Sequence, residues 1–585
     1  MNKIKEFQEL LQQKDIDAYI IPTSDYHMSE YTPDYFKARE YISGFTGDAG
    51  TLLVTTDEAL LWTDGRFFLQ ATIELQDSPI KLMKMGEPGV PTLVEYLSEK
   101  FERGGNLGFD GRTIDTNTAL KIKEALPKAE IINTDLISKI YDERPSLPFS
   151  YLYELKDCFS GESYKSKIEK VRTLISKSEC NALVIARLED QAWLYNLRGN
   201  DIQCTPVFLA FTVITATDVH LFVDNDKIND DVEAYLLDNN ISLHEYDEIY
   251  NFLNNLRDMK VMYDANSCNY NIYRSLYRDN VLKDTLNPTS ILKAVKNQTE
   301  IRNDIEAHVK DGVAMVKAMK YLYEHADELD EISYADYLES MRANQQGYIE
   351  LSFTTIAGFD DHGAIIHYSA KKGEEYKLNT EHPTFFLVDS GAHYCLGTTD
   401  ITRTYALGPV TDEMKEDYTL VLKCHVDLAL AEFKAGTSGE KIDMIARQPL
   451  WNKGLDYRHG TGHGVGYVLS VHEGPQSFRY NGATYPLEPG MITTDEPGLY
   501  RDGKWGIRIE NELLCVEGAT TEYGKFYKFQ TITVCPYELK AINKKMLTKA
   551  ELDWLNQYHK NCYDKLSPYL NESEKDFLRK LTVEL

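Results

Sequence analysis

Between residues 389 and 510 the sequence sets out five side chains of the types that hold divalent cations: Asp389, Asp400, His463, Glu496 and Glu510. Asp389 follows the apolar run Thr384-Phe-Phe-Leu-Val388, which reads as a buried strand. Asp400 comes eleven residues later in Gly397-Thr-Thr-Asp-Ile-Thr-Arg-Thr404, whose alternation predicts a second strand. His463 sits among glycines in His459-Gly-Thr-Gly-His-Gly-Val-Gly466. Glu496 falls between Met491-Ile-Thr-Thr-Asp495 and Pro497-Gly498, and Glu510 lies in Gly506-Ile-Arg-Ile-Glu-Asn-Glu512. Taken singly, each has an ordinary reading as a strand-end cap, a loop histidine or a turn residue. Together they demand compensation, because unpaired buried charges cost on the order of several kcal/mol each. Four carboxylates and one neutral imidazole carry four negative charges, which two divalent cations would balance. Cations ~3.5–4 Å apart repel strongly, so carboxylates must bridge them.

Rigid elements have to position such a set. Strands hold ligands firmly, and glycines let backbone and substrate approach closely. The first 75 residues suggest strands interleaved with helices, with Ala18-Tyr-Ile-Ile21 as an apolar strand. Gly50-Thr-Leu-Leu-Val54 and Ala59-Leu-Leu-Trp62 read as a hairpin around Thr56-Asp57-Glu58. A weak internal repeat follows: Val54 to Asp64 lies over Ile214 to Asp224 without a gap, and the apolar run Ala182 to Ile185 stands upstream as Ala18 to Ile21 does. Two related α/β domains are the economical reading, with chance similarity between hairpins as the alternative. Pro145-Ser-Leu-Pro148 and Ser160-Gly161 punctuate the end of the first, and Lys167 to Ser176 opens the second as an amphipathic helix. A third region begins near Leu286-Asn-Pro288 with a long helix over Ile301 to Tyr321. The tail after Lys540 carries a capping box, Thr548-Lys-Ala-Glu551, ahead of a packed helix.

At 585 residues the chain is too long for one hydrophobic core, and three or four domains are expected. The balance of 63 Lys+Arg against 92 Asp+Glu, a net charge of −29, disfavours nucleic acid and anionic membranes as partners. Nine scattered cysteines without a C-x-x-C pair suit a reducing compartment. The start, Met-Asn-Lys-Ile-Lys-Glu, has no apolar signal segment, and the most apolar run, Pro206 to Ala216, is too short for a membrane span and reads as a buried strand.

Asp389-Ser-Gly-Ala, Thr399-Asp-Ile-Thr-Arg403, His459-Gly-Thr-Gly-His463, Val471-His-Glu-Gly-Pro475, Thr494-Asp-Glu-Pro-Gly498 and Gly506-Ile-Arg-Ile-Glu-Asn511 resemble, in order, the signature of the aminopeptidase P family. That family belongs to the pita-bread metallopeptidases, with prolidase and methionine aminopeptidase. Ser43-Gly-Phe-Thr-Gly-Asp-Ala-Gly-Thr51 and Trp62-Thr-Asp-Gly-Arg66 resemble its creatinase-type N-terminal domain. Asn196-Leu-Arg-Gly199 with Pro206-Val-Phe208 resembles the second domain of the long form, and Glu551-Leu-Asp-Trp-Leu555 its tail. The implied fold is α/β: two related creatinase-N-like α/β domains (1–157 and 158–296), a pita-bread α+β catalytic domain (297–539) and a C-terminal helical extension (540–585).

The resemblance also implies roles. Asp389 would hold one metal through both oxygens, Asp400 and Glu510 would bridge the pair, and His463 and Glu496 would complete the second. Oxygen-rich ligation with one imidazole suits Mn²⁺ better than Zn²⁺. A hydroxide shared by two metals would attack the Xaa-Pro carbonyl, with Glu496 as proton shuttle. His367, in Gly363-Ala-Ile-Ile-His-Tyr368, would steady the scissile carbonyl. His472 would contact the substrate backbone, His459 would line the proline pocket unless it is a structural loop residue, and Arg508 would orient the bridging glutamate or the substrate. The expected protein is a cytoplasmic homodimer, joined through its first domain, acting on peptides with proline second. His362, His393 and His425 lie outside these motifs. Asp48 and Asp360-Asp361-His362 depart from the family pattern, the latter at the rim of the site. Prolidase shares all five ligands but takes only dipeptides, creatinase lacks the ligands present here, and scaffold proteins of this fold lose them.

Overall fold

The computed structural model describes residues 3–585, which divide into two compact units, 3–155 with Glu162–Ile291 and Lys156–Gly161 with Leu292–Leu585. The first holds two six-stranded sheets of one topology. In spatial order one runs Ile80–Lys84, Ala59–Thr63, Thr51–Thr55, Ala18–Pro22, Gly105–Phe109, Ala129–Asn133. The other runs Ser242–His244, Val219–Val223, Ala210–Thr215, Ala182–Ile185, Lys260–Tyr263, Val281–Asp284. Strand directions match position by position: parallel, antiparallel, antiparallel, parallel, parallel. The repeat seen in the sequence is therefore a repeat of whole modules, because the aligned stretch is the same hairpin in each.

The two modules meet at equivalent residues. Asp115 and Asn269 each cap a helix, Thr116–Ala125 and Tyr270–Leu276, by accepting from the N–H three residues on. The same two residues form a β-bridge to one another, flanked by Thr116 N–H to Cys268 O at 3.0 Å and Tyr270 N–H to Ile114 O at 2.9 Å. Like surfaces thus face each other about a local pseudo-two-fold axis.

The second unit is built from antiparallel pairs wrapped by helices. Strand Phe386–Ser390 lies between Ile356–Phe359 and Ile401–Tyr405. Asn511–Thr521 lies between Ile492–Asp495 and Gly524–Thr531, and Gly498–Arg501 pairs with Trp505–Arg508. Helix Gln298–His325, capped by Asn297 with Glu300, runs longer at both ends than the apolar spacing indicated. Phe386 and Val388 pack with Met315, Met319 and Tyr334, so period-two alternation sends Leu387 and Asp389 to the opposite face. The tail helix Lys549–Leu566 starts at the Thr548/Glu551 capping box and buries Leu555, Tyr558 and Leu566 in the core of this unit. All nine cysteines are free, and no helix among the described residues is long and apolar enough to cross a membrane.

Candidate metal centre

Sheet register accounts for the convergence of five residues scattered along the chain from 389 to 510. Asp389 pairs across the sheet with Thr402, whose hydroxyl donates to Glu510 Oε2 at 2.7 Å. Asp495 pairs with Asn511, so Glu496, one residue beyond, and Glu510, one residue before, emerge side by side. His463 is brought to the same edge by Gly464, bridged to Thr493, and by its own N–H on Thr494 Oγ1 at 3.1 Å. Asp400 stands in the break between Gly397–Thr398 and Ile401–Tyr405, with its N–H held by Glu512 Oε1 at 2.8 Å.

The ligand atoms of Asp389, Asp400 and Glu510 lie within 4.8 Å of one another, as do those of His463, Glu496 and Glu510. Asp400, His463 and His472 form a third such group, and the His463 and His472 rings meet edge to face at 4.2 Å. His463 Nε2 is 3.4 Å from Asp400 Oδ2 and 3.7 Å from Glu496 Oε1. Asp389, Asp400 and Glu510 are 7%, 3% and 1% exposed, so their charges have almost no access to water.

Electrostatics register that crowding. Burial pushes the Glu496 carboxyl up to about 7, against the opposing charges of His463 and Arg508. Glu510 is driven well above the carboxylate range by burial and by the charges of Asp400, Asp389 and Glu496. Asp389 is also raised, by burial, although Arg508 works against the shift. Burial lowers His463, but the hydrogen bond to Asp400 and the charges of Glu496 and Asp400 outweigh it and lift the imidazole to about 9. A cluster that recruits protons in this way has the charge deficit that cations would fill. Asp389 Oδ1 and Asp400 Oδ1 are buried without a hydrogen-bond partner, which is the state of a ligand atom reserved for a metal. The donor set fits two divalent ions.

Arg508, expected to orient the bridging glutamate or the substrate, makes its side-chain ion pair with Asp389. Its Nε and one terminal nitrogen both donate to Asp389 Oδ2, at 3.1 and 2.7 Å, and this leaves Oδ1 unclaimed. The other terminal nitrogen donates to Tyr500 OH at 2.7 Å, and Tyr500 OH lies 2.8 Å from His459 Nε2. With His459 Nδ1 2.7 Å from the Gly460 carbonyl, that ring offers mainly its carbon edge to a ligand. His367 is one residue beyond Ile366, whose carbonyl lies 3.5 Å from Arg508.

Sequence reasoning missed Tyr500, Glu512 and His308, whose Nε2 is 3.2 Å from Glu512 Oε2 behind Asp400. His425, which had no assigned role, lies 3.2 Å from Asp495 Oδ2 and 2.8 Å from Tyr537 OH, behind Glu496. His393 is a buried strand residue paired with Thr398 Oγ1. Glu512 was within reach, standing two residues after Glu510 and directly before the apolar run Leu513-Leu-Cys-Val516.

Four stretches of the chain match family models: the creatinase/prolidase N-terminal domain over residues 3–140 and again over 143–300, metallopeptidase family M24 over 305–517, and the C-terminal region of that peptidase over 525–585. Aminopeptidase P1 of Arabidopsis thaliana is 37% identical, covering 97% of this chain and 96% of its own. Xaa-Pro aminopeptidase 1 of Dictyostelium discoideum is 38% identical over 98% of this chain and 94% of its own. The crystal structure of X-prolyl aminopeptidase from Caenorhabditis elegans, described as a cytosolic enzyme with a di-nuclear active site, superposes with a TM-score of 0.94 at 32% identity, covering 100% of this chain and 98% of that one. With similarity of this order along the whole chain, the protein belongs to the aminopeptidase P group of metallopeptidase family M24.

Proposed function

We propose that the chain is a Xaa-Pro aminopeptidase, hydrolysing the bond between an N-terminal residue and a following proline at a centre of two divalent cations, Mn²⁺ by preference. The observation that carries this reading is the convergence of buried Asp389, Asp400 and Glu510 with half-buried His463 and Glu496, two carboxylate oxygens being left unpartnered. Asp389, whose Oδ1 is left free by the one-sided grip of Arg508, would hold one ion, His463 with Glu496 would hold the other, and Asp400 and Glu510 would be shared between them. Two such ions, when bound, bring the pKa of water from ~15.7 to near 7 and draw charge from the scissile carbonyl.

The chain's own groups do the rest. Glu496 takes the proton of the attacking water and returns it to the departing proline nitrogen. His367 steadies the carbonyl oxygen, and His472 contacts the substrate backbone. Arg508 holds Asp389 and, through Tyr500, the His459 ring. Proline has no N–H to donate and a ring that fixes its backbone, so the apolar edge of His459 is a suitable wall for it.

The ligand-bearing region corresponds to 297–539, with 1–157 and 158–296 as the paired N-terminal domains and 540–585 as the C-terminal extension. A cytoplasmic setting is supported by nine free thiols and by the C. elegans relative's description as cytosolic. Homodimerisation through the first domain rests on family resemblance and on the exposed apolar side chains Leu147, Phe149, Tyr151 and Tyr153 of the first unit.

The test is Mn²⁺-supplemented hydrolysis of Arg-Pro-Pro beside the dipeptide Ala-Pro, with and without a chelator. Release of arginine that is lost on chelation is the expected result. Cleavage of the dipeptide alone would make the enzyme a prolidase, and cleavage of neither would defeat the proposal.

A further inference from the structure

His362 and Asp360 stand outside the motifs that account for the metal centre, yet the structure ties their segment to it through one buried carboxylate. Glu331, wholly buried at the start of helix Glu331–Ala343, accepts from four groups between residues 359 and 376. Its Oε1 takes the Phe359 N–H at 2.7 Å and His362 Nδ1 at 3.0 Å. Its Oε2 takes the Tyr368 hydroxyl at 2.8 Å and the Tyr376 N–H at 2.9 Å. His362 Nδ1 is a donor to this carboxylate in either its Nδ1–H tautomer or its cationic form. Its ring stacks against Tyr376 at 3.6 Å and 10°, and against Tyr368 at 4.5 Å. Asp360, in a left-handed conformation with φ 57°, turns the chain out of strand Ile356–Phe359 and accepts from Thr384 Oγ1 at 2.9 Å.

The clamped segment leads directly to the site. Gly363 lies so close to Gly506 that a Cβ on Gly506 would fall 1.7 Å from the Gly363 carbonyl oxygen. Two residues on from Gly506 is Arg508, which holds Asp389 and lies 3.5 Å from the Ile366 carbonyl, next to His367. A single carboxylate therefore ties down the beginning, the middle and the end of a segment that has an exposed stretch at Lys371-Lys372 and carries His367 between its anchors.

We propose that Glu331 and His362 form a clamp that positions His367 and the Ile366 carbonyl against the metal centre, and so sets the orientation of the scissile carbonyl. The inference rests on the activity assigned above. Both are positioning residues, since the groups they hold are Phe359, Tyr368 and Tyr376. In Glu331→Gln the amide accepts on one side only and sets its own N–H groups against donors on the other. His362→Ala removes one donor and both stacking contacts.

The experiment compares the Mn²⁺-loaded wild type with Glu331→Gln and His362→Ala in three readouts. These are kcat and KM for Arg-Pro-Pro measured separately, metal bound per chain, and the rate at which a lysine-specific protease nicks Lys371-Lys372. The expected result is a fall in kcat of about tenfold to 10²-fold, the range for a small misplacement of a reacting group, with metal content unchanged. Nicking should accelerate about tenfold as the segment opens locally. Wild-type kcat in both variants would overturn the clamp, as would unchanged nicking, or metal loss in proportion to lost activity. If Glu331→Gln does not fold, His362→Ala decides the matter. A wild type that spares Arg-Pro-Pro defeats the assigned activity alone, and nicking rates then decide whether the clamp exists.

Discussion

At the scale of single residues the centre depends on who claims which oxygen. Arg508 directs two N–H groups to Asp389 Oδ2 and one to Tyr500, a pattern that a planar fork can make and a lysine ammonium cannot. Arg508→Lys is therefore expected to lower metal affinity or kcat/KM by about 10–100-fold, the usual effect of disturbing a ligand's own partner, and an Mn²⁺ activation curve would show it. Asp400→Asn removes one negative charge from a site where carboxylates already repel. It should abolish metal-dependent hydrolysis with little loss of fold by circular dichroism, and wild-type activity in that variant would defeat the two-metal assignment. The candidate ligands were legible in the sequence because a carboxylate on an apolar strand must be paired, neutralised or bound to a cation. The partner of Arg508 was not, because Asp389 is 119 positions away and only strand pairing brings them together.

Among the elements, close backbone approach does what side chains alone cannot. A Cβ on Gly462 would lie 1.8 Å from Thr494 O, so the His463 strand touches the strand leading to Glu496 with no room between them. Gly462→Ala should push His463 away from Glu496 and reduce kcat/KM by roughly 10²-fold, with loss of bound metal seen by direct metal analysis and secondary structure retained. Element boundaries were the least legible feature. Asp389 lies inside strand Phe386–Ser390 instead of after it, and Asp400 falls at a break between two sheets instead of within one strand. Apolar alternation reports which face is buried, but the end of a strand is decided by where its partner strands stop.

For the whole molecule, the paired modules of the first unit add a pH dependence. His27 is wholly buried, with Nδ1 2.8 Å from Ala186 O in the other module and Nε2 2.7 Å from Tyr246 OH. Burial lowers its pKa from 6.5 to about 4, so the folded state keeps it neutral while the unfolded chain protonates it below 6.5. Its contribution is fully present above pH 6.5 and is lost as pH falls towards 4, by roughly 3 kcal/mol in all. His27→Gln cannot be protonated, so its stability deficit against wild type should shrink across that window in urea unfolding followed at pH 7.5, 5.5 and 4.5. A deficit constant with pH would show that His27 does not couple protons to the docking of the two modules.

The repeated hairpin, the capping box at Thr548 and Glu551, the order of the motifs and the identity of the charged residues were all determined by the sequence alone, because each rests on spacing within a few residues or on charge that an apolar strand cannot bury unpaired. Only the tertiary structure decided that Arg508 grips Asp389, that Tyr500 joins Arg508 to His459, and that Glu331 anchors the segment carrying His367. Those contacts arise between strands and helices far apart in the chain, where register and packing choose the partner and local spacing carries no record of the choice.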